Sequence, residues 1–160
     1  MTVIRDMTPA DLDAVSLLAE QLVLLHHGWD TTRFFTTPDV AKGYRRYFQS
    51  QLGEEGVLLL TAEVDTEIAG YLFGTLESRD WAKLLDAHGA VHDLFVGAAH
   101  RRHGVAQALM AEAKARFGRL GAKQVVWYSA SSNSEGQALF KRLGSRPTMV
   151  EMTLDLPPRS

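Results

Sequence analysis

The sequence contains no cysteine among its 160 residues. This absence excludes a disulfide framework, a thiolate zinc site and a cysteine nucleophile, and it fits a cytoplasmic location. Long apolar runs are also missing, because stretches such as Val57–Leu60 fall far short of the ~20 residues that a membrane-spanning helix needs. The N-terminal residues lack a basic head followed by an apolar stretch, so no secretory signal is predicted.

Neither sign of charge is in excess, since 17 basic and 19 acidic side chains leave a net charge of −2. A dedicated nucleic-acid binder gains much of its affinity by neutralising phosphates, so this balance argues against one. We find no repeat, low-complexity tract or flexible linker, and the length suits one domain. The sequence therefore predicts a single domain over residues 1–160 that acts on a small molecule, with neither nucleic acid nor a membrane as its partner.

Apolar periodicity and turn signals predict alternating strands and helices along the chain. Strands are predicted at residues 3–5, 57–62, 68–76, 91–96, 123–129 and 149–156, and helices at residues 8–25, 37–53, 104–120 and 134–143. The polar residues 78–89 are predicted to form a loop. This order predicts an α/β fold in which a mixed sheet carries helices on both faces.

The segment with the clearest chemical meaning leads from the fourth predicted strand into the helix that begins at Gly104. Backbone N–H groups at a helix start are unpaired and carry partial positive charge. Small residues such as Gly104 and Ala106 let an anion approach them closely. Arg101, Arg102 and His103 place cations where they oppose the helix dipole, and a bound polyanion would make them favourable. These residues alone leave open a basic loop that is merely solvated.

Two blocks in the second half of the chain have a recognisable spacing. Residues 101–106 read Arg-Arg-His-Gly-Val-Ala, and residues 133–144 read Asn-Ser-Glu-Gly-Gln-Ala-Leu-Phe-Lys-Arg-Leu-Gly. They resemble the Arg/Gln-x-x-Gly-x-Gly/Ala and Asn-x-x-Ala-x-x-Leu-Tyr-x-x-Leu-Gly blocks of the GCN5-related N-acetyltransferase (GNAT) superfamily. Residues 91–96, Val-His-Asp-Leu-Phe-Val, most resemble its diamine and thialysine branch.

The resemblance implies acetyl transfer from acetyl-CoA to a primary amine of a small molecule, either a diamine or an amino-acid-like amine. It also implies a mostly antiparallel sheet of six to seven strands that splays in the middle. Main-chain groups of Leu94, Phe95 and Val96 would bind the pantetheine arm, and the Leu94 N–H would polarise the acetyl carbonyl. The other implied cofactor-binding residues are Arg101, Arg102, His103, Gly104, Val105, Ala106 and Gln107 at the pyrophosphate, with Asn133 and Phe140 across the cofactor.

Proton transfer involves positions where the sequence departs from the family pattern. A primary amine is protonated at neutral pH and needs a base. His92 stands at the branch's glutamate position and is either that base or a histidine that only lines the substrate entrance. Strand alternation puts Asp93 on the opposite face, so Asp93 is predicted to be structural. Phe140 replaces the tyrosine that protonates the leaving sulfur in most members, so water, Tyr128 or His92 supplies that proton, or the activity is lost.

Three tryptophans are candidates for the acceptor pocket, with His92 as a fourth residue. Trp29 and Trp81, together with Tyr44 and Tyr47, fall in segments that cover this site in relatives, and Trp127 lies where the branch often has an aromatic residue. Simple packing is the alternative for each. No metal is expected, because adjacent histidines on a helix point about 100° apart and no carboxylate cluster accompanies them.

Two classes of function therefore remain open at this point. The first is a small-molecule N-acetyltransferase, and the second is an acyl-CoA-binding sensor of the same fold with weak or no activity. The apolar last strand, Met149–Leu156, suits a homodimer interface, and the resemblance favours a homodimer as well.

Overall fold

The computed structural model describes residues 1–159 and arranges them into five strands and four α-helices. The strands are β1 (Thr2–Asp6), β2 (Val57–Val64), β3 (Glu67–Glu77), β4 (His88–Val96) and β5 (Val125–Trp127). The helices are α1 (Leu12–Trp29), α2 (Val40–Gln51), α3 (Val105–Arg119) and α4 (Ser134–Arg142). Among the described residues, no helix combines the length and apolar character that a bilayer crossing requires.

The strands form one mixed sheet in the order β1-β2-β3-β4-β5. Neighbours are antiparallel from β1 to β4, whereas β5 lies parallel to β4. A parallel pair needs a crossover connection, and α3 supplies it between these two strands. The mixed α/β fold is confirmed, but the implied count of six to seven strands is wrong, since residues 1–159 contain five.

The predicted last strand over residues 149–156 is absent, and residues 145–159 form neither helix nor strand. Apolar residues alternate with polar ones there, which is the pattern of a half-buried strand. A strand also needs a neighbouring edge to hydrogen-bond with, and in this structure the segment pairs with none of the five strands. Its apolar side chains are consequently exposed.

Helices cover both faces of the sheet, as predicted. Along β2, Leu59 faces α1 and α2, while Leu58 and Leu60 face α3. This alternation follows from the period of two along a strand. On the α3 side, Leu109 and Phe117 are fully buried against the sheet. The two cores therefore fix the sheet between helices and hold β4 in its centre.

A partly buried ion pair fixes the start of α1. Asp11 accepts hydrogen bonds from the Thr8 N–H at 2.7 Å and from the Thr8 hydroxyl at 2.8 Å. Arg5 of β1 donates to both oxygens of the same carboxylate, at 2.7 and 2.9 Å. The hydrogen bonds from Arg5 lower the pKa of Asp11 to about 2. The predicted helix start at Thr8 is confirmed, although a 3-10 turn precedes the α-helix.

A β-bulge in β4 shapes the site. Asp93 pairs with Phe73 of β3, and Val91 pairs with the next β3 residue, so His92 has no partner across the ladder. The extra residue interrupts the alternation of side chains. Asp93 contacts Tyr71 on the α1–α2 side, and the His92 ring lies 5.0 Å from the Phe73 ring on that same side. The prediction that these two neighbours face opposite ways is therefore wrong.

The ladder between β4 and β5 is short. Gly89–Val91 pairs with Val125–Trp127, and the pairing stops there. β4 continues to Val96 with only β3 as its hydrogen-bonded neighbour. The predicted strand over residues 123–129 is thus reduced to three residues, and a gap opens beside the C-terminal half of β4.

Candidate active site

The backbone of β4 presents free hydrogen-bonding groups to this gap. The Gly97 N–H donates to the Ala69 carbonyl at 2.9 Å. Because bonded residues alternate along an antiparallel pair, the N–H of Leu94 points away from β3 and toward the gap. The Val96 carbonyl points the same way and accepts a hydrogen bond from the Arg101 side chain at 3.0 Å. The gap can therefore bind an extended ligand as an additional strand would be bound.

The N-terminus of α3 forms a run of unpaired donors beside the gap. Within residues 1–159, no backbone N–H of residues 102–107 donates to a protein acceptor, and the first helical bond runs from the Ala108 N–H to the Gly104 carbonyl. Gly104 has a φ of +80°, and a Cβ built there meets no atom within 4 Å. Arg102 pairs with Glu135 at the start of α4, at 3.4 Å. An open row of N–H groups with cations around it fits a diphosphate.

The gap opens into a cavity of about 530 Å³. The side of the cavity at β4 and β5 is lined by Leu94 of β4, by Trp127 of β5 and by three residues that follow β5, Ser129, Asn133 and Phe140. Its other side is formed by the α1–α2 segment, with Phe34, Thr36, Tyr44 and Tyr47. The hydroxyls of Thr36 and Ser129 are buried and have no hydrogen-bond partner among the described residues. A buried hydroxyl without a partner is unfavourable, so both groups are suited to bind a ligand in this cavity.

His92 lines the cavity and is held by Thr75. The Thr75 hydroxyl lies within hydrogen-bond distance of Glu77 and is 2.6 Å from Nε2 of His92. A carboxylate only accepts, so the Thr75 hydroxyl donates to Glu77 and accepts from the Nε2–H of His92. Nδ1 is then free to accept a proton. Burial lowers the pKa of His92, despite the opposing effect of Glu77, and this favours the neutral imidazole.

Asp93 also lines the cavity, next to His92. Its carboxylate accepts a hydrogen bond from the fully buried Tyr71 hydroxyl at 3.1 Å and interacts with the Tyr44 hydroxyl. Burial raises the pKa of Asp93 to about 6, against the opposing effects of Tyr71, His26 and Tyr44. A carboxylate in such surroundings is costly to ionise and strongly attracts a cation.

The predicted residues at β5 and α4 come together around the gap. The Phe140 ring lies 5.1 Å from the Trp127 ring, and both line the main cavity. Asn133 is the N-cap of α4 and accepts from the Gly136 N–H at 3.0 Å. Tyr128 also borders the cavity, but its side chain is largely exposed. No hydroxyl stands at position 140.

The other two tryptophans lie away from this cavity. Trp29 packs its ring 4.9 Å from the ring of His26 and is not part of the cavity wall. Trp81 is 76% exposed and borders a second cavity of about 450 Å³, which also reaches His92 and Tyr128. Of the three predicted acceptor tryptophans, Trp127 alone lines the main cavity.

Sequence reasoning missed three groups that the fold brings to the cavity: the Asp93 carboxylate and the Thr36 and Ser129 hydroxyls. Asp93 was assigned to the wrong face because a bulge leaves no clear signature in a run of six ordinary strand residues. The two hydroxyls lie in segments without a motif, where burial was the missing information.

The fold and the parted strands define an acetyltransferase of the GNAT type. The sequence profile of the acetyltransferase (GNAT) family matches residues 25–145, and the chain belongs to this family. Acetyl-CoA is therefore the co-substrate of this acetyltransferase. No curated protein sequence matches the chain significantly.

Solved structures show the same fold at low sequence identity. A point mutant of a Bacillus halodurans protein has a TM-score of 0.84 and 19% identity over 97% of this chain and 99% of that one. An aminoglycoside 6'-N-acetyltransferase from Acinetobacter haemolyticus has a TM-score of 0.75 and 18% identity over 98% and 99%. A predicted acetyltransferase with acetyl-CoA from Clostridium acetobutylicum has a TM-score of 0.74 and 15% identity over 97% and 96%.

Proposed function

We propose that the chain, as one domain, moves the acetyl group of acetyl-CoA to a primary amine of a small molecule, a diamine or an amino-acid-like amine. The observation that carries this proposal is the run of unpaired N–H groups at residues 102–107 beside the gap between β4 and β5. The diphosphate would bind to this run, and the pantetheine arm would bind to β4 along Leu94, Phe95 and Val96. Asn133 and Phe140 would border the other side of the cofactor.

The proposed reaction is direct attack without an acyl-enzyme. The amine nitrogen bonds to the thioester carbonyl carbon, the C–S bond breaks, and coenzyme A leaves as the thiolate. The Leu94 N–H stabilises the negative charge on the carbonyl oxygen. Nδ1 of His92 takes a proton from the ammonium group. As the amide forms, the nitrogen loses its second proton to water, and water or Tyr128 delivers a proton to the sulfur. The thiolate is a fair leaving group because a thiol has a pKa of about 8.5.

Phe140 supports a second candidate, an acyl-CoA-binding sensor with little activity. Phe140 lines the cavity at the position where the family resemblance implies a tyrosine that protonates the sulfur, and a phenyl ring has no proton to give. The two candidates share the cofactor site and differ in turnover. Release of coenzyme A with a panel of amines distinguishes them, because the sensor would bind acetyl-CoA and release no thiol with any amine.

The cofactor site is tested with two matched glycine substitutions at opposite ends of α3. Gly104 and Gly121 have φ values of +80° and +85°, and a Cβ at either meets nothing within 4 Å. Gly104→Ala and Gly121→Ala should therefore lose similar stability, about 1 kcal/mol each. We expect only Gly104→Ala to weaken acetyl-CoA in calorimetry, by about tenfold or more, because its methyl group faces the diphosphate. Equal affinity of the two variants would refute the assigned diphosphate site.

We further propose that the chain forms a homodimer through residues 149–156. Val150, Met152, Leu154 and Leu156 alternate with polar residues and are 79–86% exposed. Light scattering should give a mass near twice the 17.7 kDa of the chain. Met152→Glu should halve it, and Thr153→Glu on the alternate face should not. A monomeric wild-type chain would contradict this proposal.

A further inference from the structure

We propose, on the basis of the function proposed above, that Asp93 binds the ammonium group of the acceptor and that the acceptor carries this group on an apolar or aromatic body. Asp93 lies at the cavity beside His92, because the bulge in β4 brings both residues to one side. An ammonium ion held by Asp93 is thus one residue away from the base that would deprotonate it.

The surroundings of Asp93 suit a cation better than a structural partner. Its hydrogen bond comes from the Tyr71 hydroxyl, the Tyr44 hydroxyl lies nearby, and neither group carries a positive charge. His26 also lies near, but its Nδ1 is hydrogen-bonded to the Leu22 carbonyl at 2.8 Å and it forms no salt bridge with Asp93. The negative charge of Asp93 therefore has no full ion pair among the described residues. An ammonium ligand would provide one and would donate hydrogen bonds to the remaining lone pairs of the carboxylate oxygens.

The wall opposite β4 indicates what the rest of the acceptor is like. Leu22, Phe34, Val40 and Tyr47 contribute apolar or aromatic surface to the cavity. The unpartnered Thr36 hydroxyl is a polar group within this wall. A ring or short aliphatic chain would bury its surface there, at about 25 cal/mol per Å². One hydrogen-bonding substituent on that body could pair with Thr36.

The other charged groups of the cavity disfavour a polycation. Arg33 also lines the cavity, and its guanidinium is paired with Glu151. Asp39 is the remaining carboxylate on the described wall, at the start of α2. A second ammonium group on the acceptor could pair with Asp39, whereas a third would find no further carboxylate among the described residues of the wall. The cavity therefore matches an acceptor that carries one ammonium group at Asp93, or a second one at Asp39, on an apolar body.

The test compares wild-type protein with Asp93→Asn, which keeps the shape of the side chain and removes its charge. Two ligands without an acetylatable amine are used in the absence of acetyl-CoA: N,N-dimethylphenethylamine, a cation, and 2-phenylethanol, its neutral counterpart. We expect the wild type to bind the cation about 10- to 100-fold more tightly, the range for a hydrogen bond to a charged group. Asp93→Asn should lose that preference, and its KM for phenethylamine should rise by a similar factor. A structural role would instead weaken both ligands alike.

Tyr44→Phe serves as a second variant, because it leaves the carboxylate in place and should retain most of the preference for the cation. An Asp39→Asn variant that abolished the preference would overturn the assignment to Asp93. Higher kcat/KM for spermidine than for phenethylamine would overturn the substrate class but leave the proposed transferase intact. Absence of thiol release with every amine, while the cation still binds, would refute the transferase and leave the ammonium site standing.

Discussion

Asp93→Asn should make the protein more stable at neutral pH. Burial raises the pKa of Asp93 from 3.8 to about 6, so the folded protein resists ionisation that the unfolded chain allows. A shift of about two units corresponds to at most about 3 kcal/mol, and water in the cavity reduces this to about 1–2 kcal/mol. The penalty is absent below about pH 4, where the carboxyl is neutral in both states, and complete above about pH 6. The Asn side chain carries no such penalty and still accepts from Tyr71.

Urea unfolding of both proteins from about pH 4 to about pH 8 measures this difference. The gain in the free energy of unfolding should grow with pH between the two pKa values and then level off, with a rise in Tm of about 3–6 °C at pH 7. Asp155→Asn, at an exposed position, is the control and should show no gain that varies with pH. If the gain in the free energy of unfolding is constant with pH, or if Asp93→Asn is less stable than the wild type at pH 7, the proposed destabilisation by ionised Asp93 is refuted.

Three further predictions concern other parts of the molecule. Gly89→Ala should destabilise the protein by about 1–3 kcal/mol, because its Cβ would lie 2.5 Å from the Phe117 ring. Gly118→Ala should instead stabilise it by about 0.5–1 kcal/mol, because a Cβ at this helical position meets no atom within 4 Å. Urea unfolding measures both changes. Asp11→Asn should lose about 1–2 kcal/mol at pH 7, and the loss should fade as pH drops from about 4 to about 2, because the folded pKa of Asp11 is lowered to about 2. Phe140→Tyr should raise kcat about tenfold or more if the sulfur lacks an acid, and an unchanged kcat would indicate another donor.

Local patterns predicted the elements that depend on local interactions. The β2–β3 hairpin formed as expected around Asp65 and Thr66, whose φ values of 48° and 73° suit a tight two-residue turn. The helices appeared within a few residues of their predicted ends, because caps and apolar stripes are encoded in neighbouring residues. The motif at residues 101–106 also marked the helix start at which the unpaired N–H groups lie.

Features that depend on distant parts of the chain were missed. The bulge at His92 is set by how β3 and β4 pair, and alternation alone placed Asp93 on the wrong face. The segment at residues 149–156 has the pattern of a strand, yet strand formation also depends on a free edge. Thr36 came from a stretch without a motif, and only the packing of α1 and α2 against the sheet brings it to the cavity.

The ionised Asp93 lowers the stability of the folded protein, yet the same charge would bind the acceptor. These opposite effects distinguish a ligand-binding carboxylate from one that only stabilises the fold. Low polarity around Asp93 makes its ionised form unfavourable in the free protein. The same low polarity strengthens its attraction for an ammonium ion, because charges interact more strongly where water is excluded. Asp93→Asn should therefore gain stability and lose affinity for cations in the same protein. A carboxylate that served only the fold would lose stability on substitution and leave the preference between a cation and its neutral counterpart unchanged.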